Sequence, residues 1–182
     1  LPALHELIAG DFNLAGQIRP VEVEDLLGRE PVTVDIDSIA GYLTDEVVLV
    51  TGAGGSIGAE LCRQIARVGP EKAALVYNGE AGLFEVEREL VDERGFHATA
   101  AVLADTGNAT KIRQIFEKYR PTVVFHAAAS KHVALLEANP LDAVRNNTLG
   151  TRTVADSAVE FGAKRFVLVS SDKAVNPKTI MG

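Results

Sequence analysis

The chain has 182 residues, 47% of them hydrophobic and 24% charged, with a formal net charge of -7 and a pI near 5.1. That size suits one domain with a short appendage, and the acidic balance argues against a main activity on nucleic acid or an anionic membrane, both of which favour a basic face. The single Cys62 excludes an intrachain disulfide, and no apolar run reaches the roughly 18 to 20 residues of a membrane-spanning helix.

Residues 1–45 read as a lead-in: "RPVEVEDLLGREPV" holds a short helical piece between two proline turns, and a second short helix can start at Asp37 or Ser38, either able to cap it. From residue 46 a different rhythm begins. Short β-branched or apolar runs occur at Val47–Val50, Ala74–Tyr77, Ala98–Leu103, Val123–Phe125 and Phe166–Val169. In the first spacer Ile57, Leu61, Ile65 and Val68 recur at helical spacing, with Glu60, Arg63, Gln64 and Arg67 opposite. Cys62 falls within this helix as a packing residue. Leu83, Val86 and Leu90 fall together in the segment Glu80 to Arg94, and Ile112, Ile115, Phe116 and Tyr119 do so in the segment Thr110 to Tyr119.

Runs that are apolar at successive positions suit strands covered on both faces, so residues 46–182 are expected to form an α/β, doubly wound parallel sheet of Rossmann type. Successive strands start 27, 24, 25 and 43 residues apart. The last gap exceeds one ordinary crossover, so extra structure is expected over Lys131 to Asn139, before a long helix that begins near Pro140. An insertion at the carboxyl edge of the sheet is a natural place for ligand contacts.

"VVLVTGAGGSIGAEL" sets Gly52, Gly55 and Gly58 between a predicted strand and a predicted helix. Gly52 permits the sharp turn, Gly55 the approach of backbone to a pyrophosphate, and Gly58 close packing of helix on strand, with the free helix amides facing the phosphates. Thr51, Ser56 and Ile57 complete the expected cofactor contacts of this turn.

The spacing Thr-Gly-x-x-Gly-x-x-Gly resembles the short-chain dehydrogenase/reductase superfamily in its extended form. By that resemblance Asp105, followed by Thr106, matches an acid that contacts adenine; the alternative is a helix cap for the segment from Asn108 onward. The second strand ends "LVYNGE", with Tyr77 and Asn78 where NAD-preferring members carry an acid and Glu80 three residues late, so NAD and NADP both remain open. In "VVFHAAASKHV" the small side chains of Ala127, Ala128 and Ala129 leave room for a cofactor at a strand end; the alternative is a tightly packed helix start. His126 and His132 read as packing or edge contacts.

"TGAGGSIG", "HAAASKHV", "NNTLGT", "SSDKAVNP" and "IRPVEVEDLLGREPV" together resemble the CapD-like, polysaccharide-biosynthesis branch of nucleotide-sugar 4,6-dehydratases, over nearly the whole chain. The resemblance implies a UDP-N-acetylhexosamine substrate, UDP-N-acetylglucosamine above others. Hydride leaves carbon 4, water is eliminated across carbons 5 and 6, and hydride returns to carbon 6. Asp172 would be the acid and Lys173 the base, with burial shifting both towards neutrality; the bland alternative is a solvated turn before Asn176-Pro177. Ser171, or Ser170 in its place, would bind the carbon-4 oxygen. Lys131 and Met181 would lie on the substrate side, and Asn147, on the long helix, is grouped with the cofactor contacts at the floor of the site.

Most superfamily members carry a Tyr at the position of Met181 and a Lys four residues later. The longer, membrane-attached members of this branch share the Met, so another group must take the hydroxyl proton, and Asp172 or a relayed water is expected to do so. The resemblance further implies a fragment of a larger enzyme, inactive alone, with a sugar-nucleotide domain following. Membrane anchors would lie in segments outside these residues, with the catalytic part on the cytoplasmic face and a possible homo-oligomer. A 4-epimerase and a non-catalytic dinucleotide-sensing module are the competing functions.

Overall fold

The computed structural model describes residues 41–182. Most of the expected lead-in, with its first short helix, lies outside the described residues, and residues 41–43, just after the expected start of the second, are helical.

Five parallel strands form one sheet: β1 (Val47–Thr51), β2 (Lys72–Tyr77), β3 (Thr99–Leu103), β4 (Val123–His126) and β5 (Arg165–Leu168), in the order β3-β2-β1-β4-β5. The chain moves outward from β1 to β3, returns to the far side of β1 as β4, and continues to β5. A switch point therefore lies between β1 and β4, where Thr51 pairs with His126 at the carboxyl ends. Doubly wound sheets bind ligands at such a crevice.

The helices are α1 (Ser56–Val68), α2 (Glu80–Arg88), α3 (Ala109–Tyr119), α4 (Val133–Ala138), α5 (Pro140–Ala143) and α6 (Gly150–Glu160). Strand alternation divides the core between the two faces. Val48, Val50, Val123 and Phe125 meet Ala59, Cys62, Ile65, Leu83, Val86 and Leu90 on one side. Leu49, Ala74, Val76 and Val124 meet Ile112, Ile115, Phe116, Val154 and Ala158 on the other. Cys62 is a core residue as expected, its thiol pushed up to about 12 by burial.

Three details depart from the expected pattern. The buried stripe of α1 is Gly58, Ala59, Cys62 and Ile65, whereas Ile57 is 57% exposed, because the first turn of α1 faces the crevice instead of the sheet. The segment after α2 winds as a π-helix over Glu89–Glu93. There Glu89 accepts from Arg63 at 2.8 and 2.9 Å and from Arg94 at 2.9 Å. Finally, β5 is an edge strand, not a buried one: Phe166 packs on the α3/α6 side, while Val167 and Leu168 are 41% and 51% exposed.

The long fourth gap resolves as expected into α4, then a helix opening with Pro140 at its first position. That helix passes through a π-helical stretch, Val144–Leu149, before α6. The wider winding carries Asn146 and Asn147 towards the loop after β4.

Candidate active site

One cleft of about 740 Å³ runs across the switch point, lined by the glycine turn, the loop after β4, the π-helical stretch and the chain after β5. Gly52 adopts φ 72°, and a Cβ there would come within 2.6 Å of Ala127 Oxygen of the neighbouring loop's backbone. A Cβ on Gly58 would collide with the Gly52 carbonyl oxygen, so α1 can sit this close to the turn only without a side chain. At Gly55 a Cβ would meet only the Gly52 carbonyl, 3.2 Å away. Gly55 also opens α1 with no side-chain cap, leaving first-turn amides for a ligand. Bare backbone and uncapped amides at a helix start fit a diphosphate.

Facing this turn, Ala127, Ala128 and Ala129 line the cleft, and Ala127 N donates to Thr51 O at 3.1 Å. Their small size leaves the crevice open. Asn147 clamps the next residue through its backbone: Ser130 N donates to Asn147 Oδ1 at 2.8 Å, and Asn147 Nδ2 donates to Ser130 O at 3.0 Å. Asn146 Nδ2 reaches Ser130 Oγ at 3.1 Å. Asn147 thus lines the cleft while both ends of its amide hold the loop. Ser56, Ile57, Thr106 and Lys131 line it as well.

Thr51 and Asp105 do not line the cleft. Thr51 is fully buried, with Oγ1 2.6 Å from His126 Nδ1. Asp105 accepts from Gly107 N at 2.8 Å and lies 3.8 Å from Arg145. Nor does it cap the following helix: α3 is capped by Asn108, which accepts from Lys111 N at 3.0 Å. The short aspartate side chain is spent on its own turn.

His126 is 1% exposed, and its Nε2 lies 2.9 Å from Thr151 Oγ1, so one imidazole joins β1 to α6 beneath the cleft. Burial pushes it down from 6.5 to about 4. The protonated form is therefore disfavoured in the folded state, and stability is full above pH 6.5 and declines as pH falls towards 4. The loss over that window is on the order of 3 kcal/mol. Urea melts between pH 7 and 4 are expected to show this slope, and His126→Gln to flatten it. His132 is exposed at the start of α4.

Beyond β5, Val169 N donates to His126 O at 3.0 Å, and the chain then turns along the cleft. Ser170, Ser171, Ala174 and Met181 line it. Ser171 Oγ accepts from Lys173 N at 3.2 Å, opening a 3-10 turn over Asp172–Ala174. Since β5 ends at Leu168, neighbouring side chains at 172 and 173 are freed from strand alternation. Lys173 Nζ indeed lies 3.2 Å from Asp172 Oδ1. Neither lines the cleft. The side chain of Asp172 is 88% exposed and that of Lys173 47%, so the burial expected of both groups is not found here.

The sequence reading missed Thr151, Asn146, Ser130 and Gly54 as lining residues. Thr151 stands four residues after Asn147, one helical turn on, which was the available signal.

The family description "Polysaccharide biosynthesis protein" matches residues 48–182. The chain belongs to this polysaccharide biosynthesis family. It is 44% identical over its whole length to the capsular polysaccharide biosynthesis protein CapD of Staphylococcus aureus. It is 47% identical, again over its whole length, to the probable polysaccharide biosynthesis protein EpsC of Bacillus subtilis (strain 168). It spans 30% of each of those proteins. A 59-residue stretch, 32% of this chain and 18% of the relative, is 42% identical to a UDP-N-acetylglucosamine 4,6-dehydratase (inverting) of Campylobacter jejuni. Among solved structures, Pen from Bacillus thuringiensis matches with a TM-score of 0.71 at 28% identity, over 78% of this chain and 43% of that one. The polysaccharide biosynthesis family membership and the parallel sheet agree with the sequence expectation, down to a Rossmann-type sheet as the scaffold of the cleft.

Proposed function

We propose that these residues form the dinucleotide-binding part of an NAD(P)-dependent 4,6-dehydratase acting on a UDP-N-acetylhexosamine, UDP-N-acetylglucosamine above others, in surface polysaccharide biosynthesis. The observation that carries this is the cleft across the switch point, in which the glycine turn forms one wall and Ser170, Ser171 and Met181 another. The Campylobacter relative, a UDP-N-acetylglucosamine 4,6-dehydratase, supports the substrate class.

Gly52, Gly55, Ser56 and Gly58 would hold the diphosphate, with Ala127 to Ala129 giving room for the nicotinamide end. A nicotinamide dinucleotide bound there supplies a hydride acceptor and donor. The chain's own groups do the rest. Ser171, already oriented by Lys173 N, presents its hydroxyl to the carbon-4 oxygen, whose own proton would leave through a relayed water as carbon 4 gives up its hydride. Elimination then needs a base at the carbon-5 proton and an acid at the carbon-6 hydroxyl. An ion pair of ammonium and carboxylate is the reverse of that arrangement, so a proton must cross the 3.2 Å contact from Lys173 to Asp172. Substrate covering this rim, and displacing its water, would favour the neutral pair.

A 4-epimerase would share the cleft and the oxidation at carbon 4, so the thioether of Met181 leaves both reactions in need of another group for the hydroxyl proton; the Asp172–Lys173 pair, an acid beside a base, is what favours elimination. We assign turnover to the full-length protein, and none to the 182 residues alone, since Asp172 lies 88% exposed on an open rim. The full-length protein would sit at the cytoplasmic face of a membrane; no helix among the described residues is long and apolar enough to cross one. Incubating full-length protein with UDP-N-acetylglucosamine should yield a 4-keto sugar, detected by its alkaline absorbance. A product keeping the 6-hydroxyl, with only carbon 4 inverted, would instead establish the epimerase.

A further inference from the structure

The carboxyl end of β2 holds an aromatic ring in a slot made by three glycines. A Cβ on Gly54 would collide with the Tyr77 ring, one on Gly79 would come within 2.9 Å of Tyr77 Cε1, and one on Gly82 within 3.2 Å of the same atom. None of these belongs to the Gly52, Gly55, Gly58 set. Their missing side chains let the ring lie between the glycine turn and the first turn of α2. Tyr77 and Asn78 both line the cleft. Backbone on these sides keeps the ring from swinging away to admit a larger ligand.

We propose that Tyr77 selects the dinucleotide, favouring the form without a 2′-phosphate; this rests on the dinucleotide site proposed above. The adenosine ribose of a dinucleotide lies at the end of the second strand, where an acid commonly accepts its hydroxyls. Here a phenol replaces the acid, able to donate or accept one hydrogen bond with a 2′-hydroxyl. A 2′-phosphate brings up to two negative charges and needs cations.

The structure withholds them. A second cavity of about 600 Å³ shares Gly54, Gly55 and Ser56 with the cleft and is lined by Arg63 and Arg88, but also by Glu85, Glu89 and Glu93. Arg63 is held by Glu89 at 2.8 and 2.9 Å and by Glu60 at 3.1 Å, and Arg88 lies 3.6 Å from Glu93. Arg94, the remaining guanidinium of this group, is bound to Glu89 at 2.8 Å. Glu85 has no arginine of its own, and Glu80 adds a carboxylate in the first turn of α2. Among the described residues that line this second cavity, a 2′-phosphate would find no arginine free of a carboxylate and would lose water without that gain. The absent strand-end acid therefore does not make this a site for the phosphorylated cofactor.

Calorimetric titration of nucleotide-free, full-length protein should give NAD+ binding about tenfold tighter than NADP+. Tyr77→Phe should weaken NAD+ about threefold to tenfold with NADP+ and Tm unchanged, whereas Glu85→Arg should strengthen NADP+ about tenfold. NADP+ bound as tightly as NAD+ or tighter, or a ratio unmoved by Tyr77→Phe, overturns the assignment to Tyr77 and leaves the dinucleotide site standing. Failure to bind either nucleotide overturns the dinucleotide site itself.

Discussion

Lys173→Met in the full-length protein is expected to lower 4-keto product formation by about 10² to 10⁴-fold, the usual scale for a lost general base. Nucleotide affinity should be almost unchanged. Lys173 touches neither the glycine turn nor the core: its ammonium contacts Asp172 and its amide contacts Ser171, both on the rim. Asp172→Asn should lose activity on the same scale, and the double variant should lose little beyond either single one, because acid and base serve the same elimination step. Single-turnover absorbance of the bound nicotinamide separates the steps. If hydride transfer from carbon 4 survives in Lys173→Met while elimination stops, the base belongs to carbon 5. Full activity in both variants would return the pair to the status of a solvated turn.

Gly58→Val is the largest expected change in stability. Its Cβ would collide with the Gly52 carbonyl oxygen, and both atoms belong to backbone that the sheet and α1 fix on two sides. Overpacking of that kind costs about 3 kcal/mol or more, a fall in Tm of about 10 °C for a domain of this size. Dinucleotide binding should vanish with it, since the turn can accommodate the side chain only by lifting α1 off the strand. Gly69→Ala is the control. Unlike Gly58, Gly69 has positive φ, 74°, and nothing lies within 4 Å of the added Cβ, so only the cost of the backbone conformation, about 1 kcal/mol, should remain. Equal losses at the two positions would show that close approach is not what Gly58 provides.

Much of this was legible without coordinates. Five apolar runs separated by amphipathic spacers gave all five strands to within two residues at either end, because continuous burial leaves a continuous apolar record. The turn from Gly52 to Gly58 could be placed at the head of α1 for the same reason: only glycine fits there, and its spacing marks the constraint. Pro140 marked the first position of its helix. The site was less complete in the sequence. Thr51 and Asp105 read as cofactor contacts from their places beside strand ends, yet their polar atoms bond His126 and Gly107. Side-chain direction at a strand end depends on the partner across the sheet, which no local word records.

The sequence by itself determined the alternation of strand and helix, the glycine turn between β1 and α1 and the adjacency of Asp172 to Lys173, since each depends on residues within one turn or one strand of each other. Only the tertiary structure decided what surrounds them. It set Tyr77 against Gly54 and Gly82, and it matched Arg63 of α1 with Glu89 after α2, 26 residues away. It also left Asp172 and Lys173 on an open rim. Burial and charge balance are sums over neighbours distant in the chain, so the chemistry a residue can perform is written in the sequence, while the protonation and the ligand it favours are set by packing.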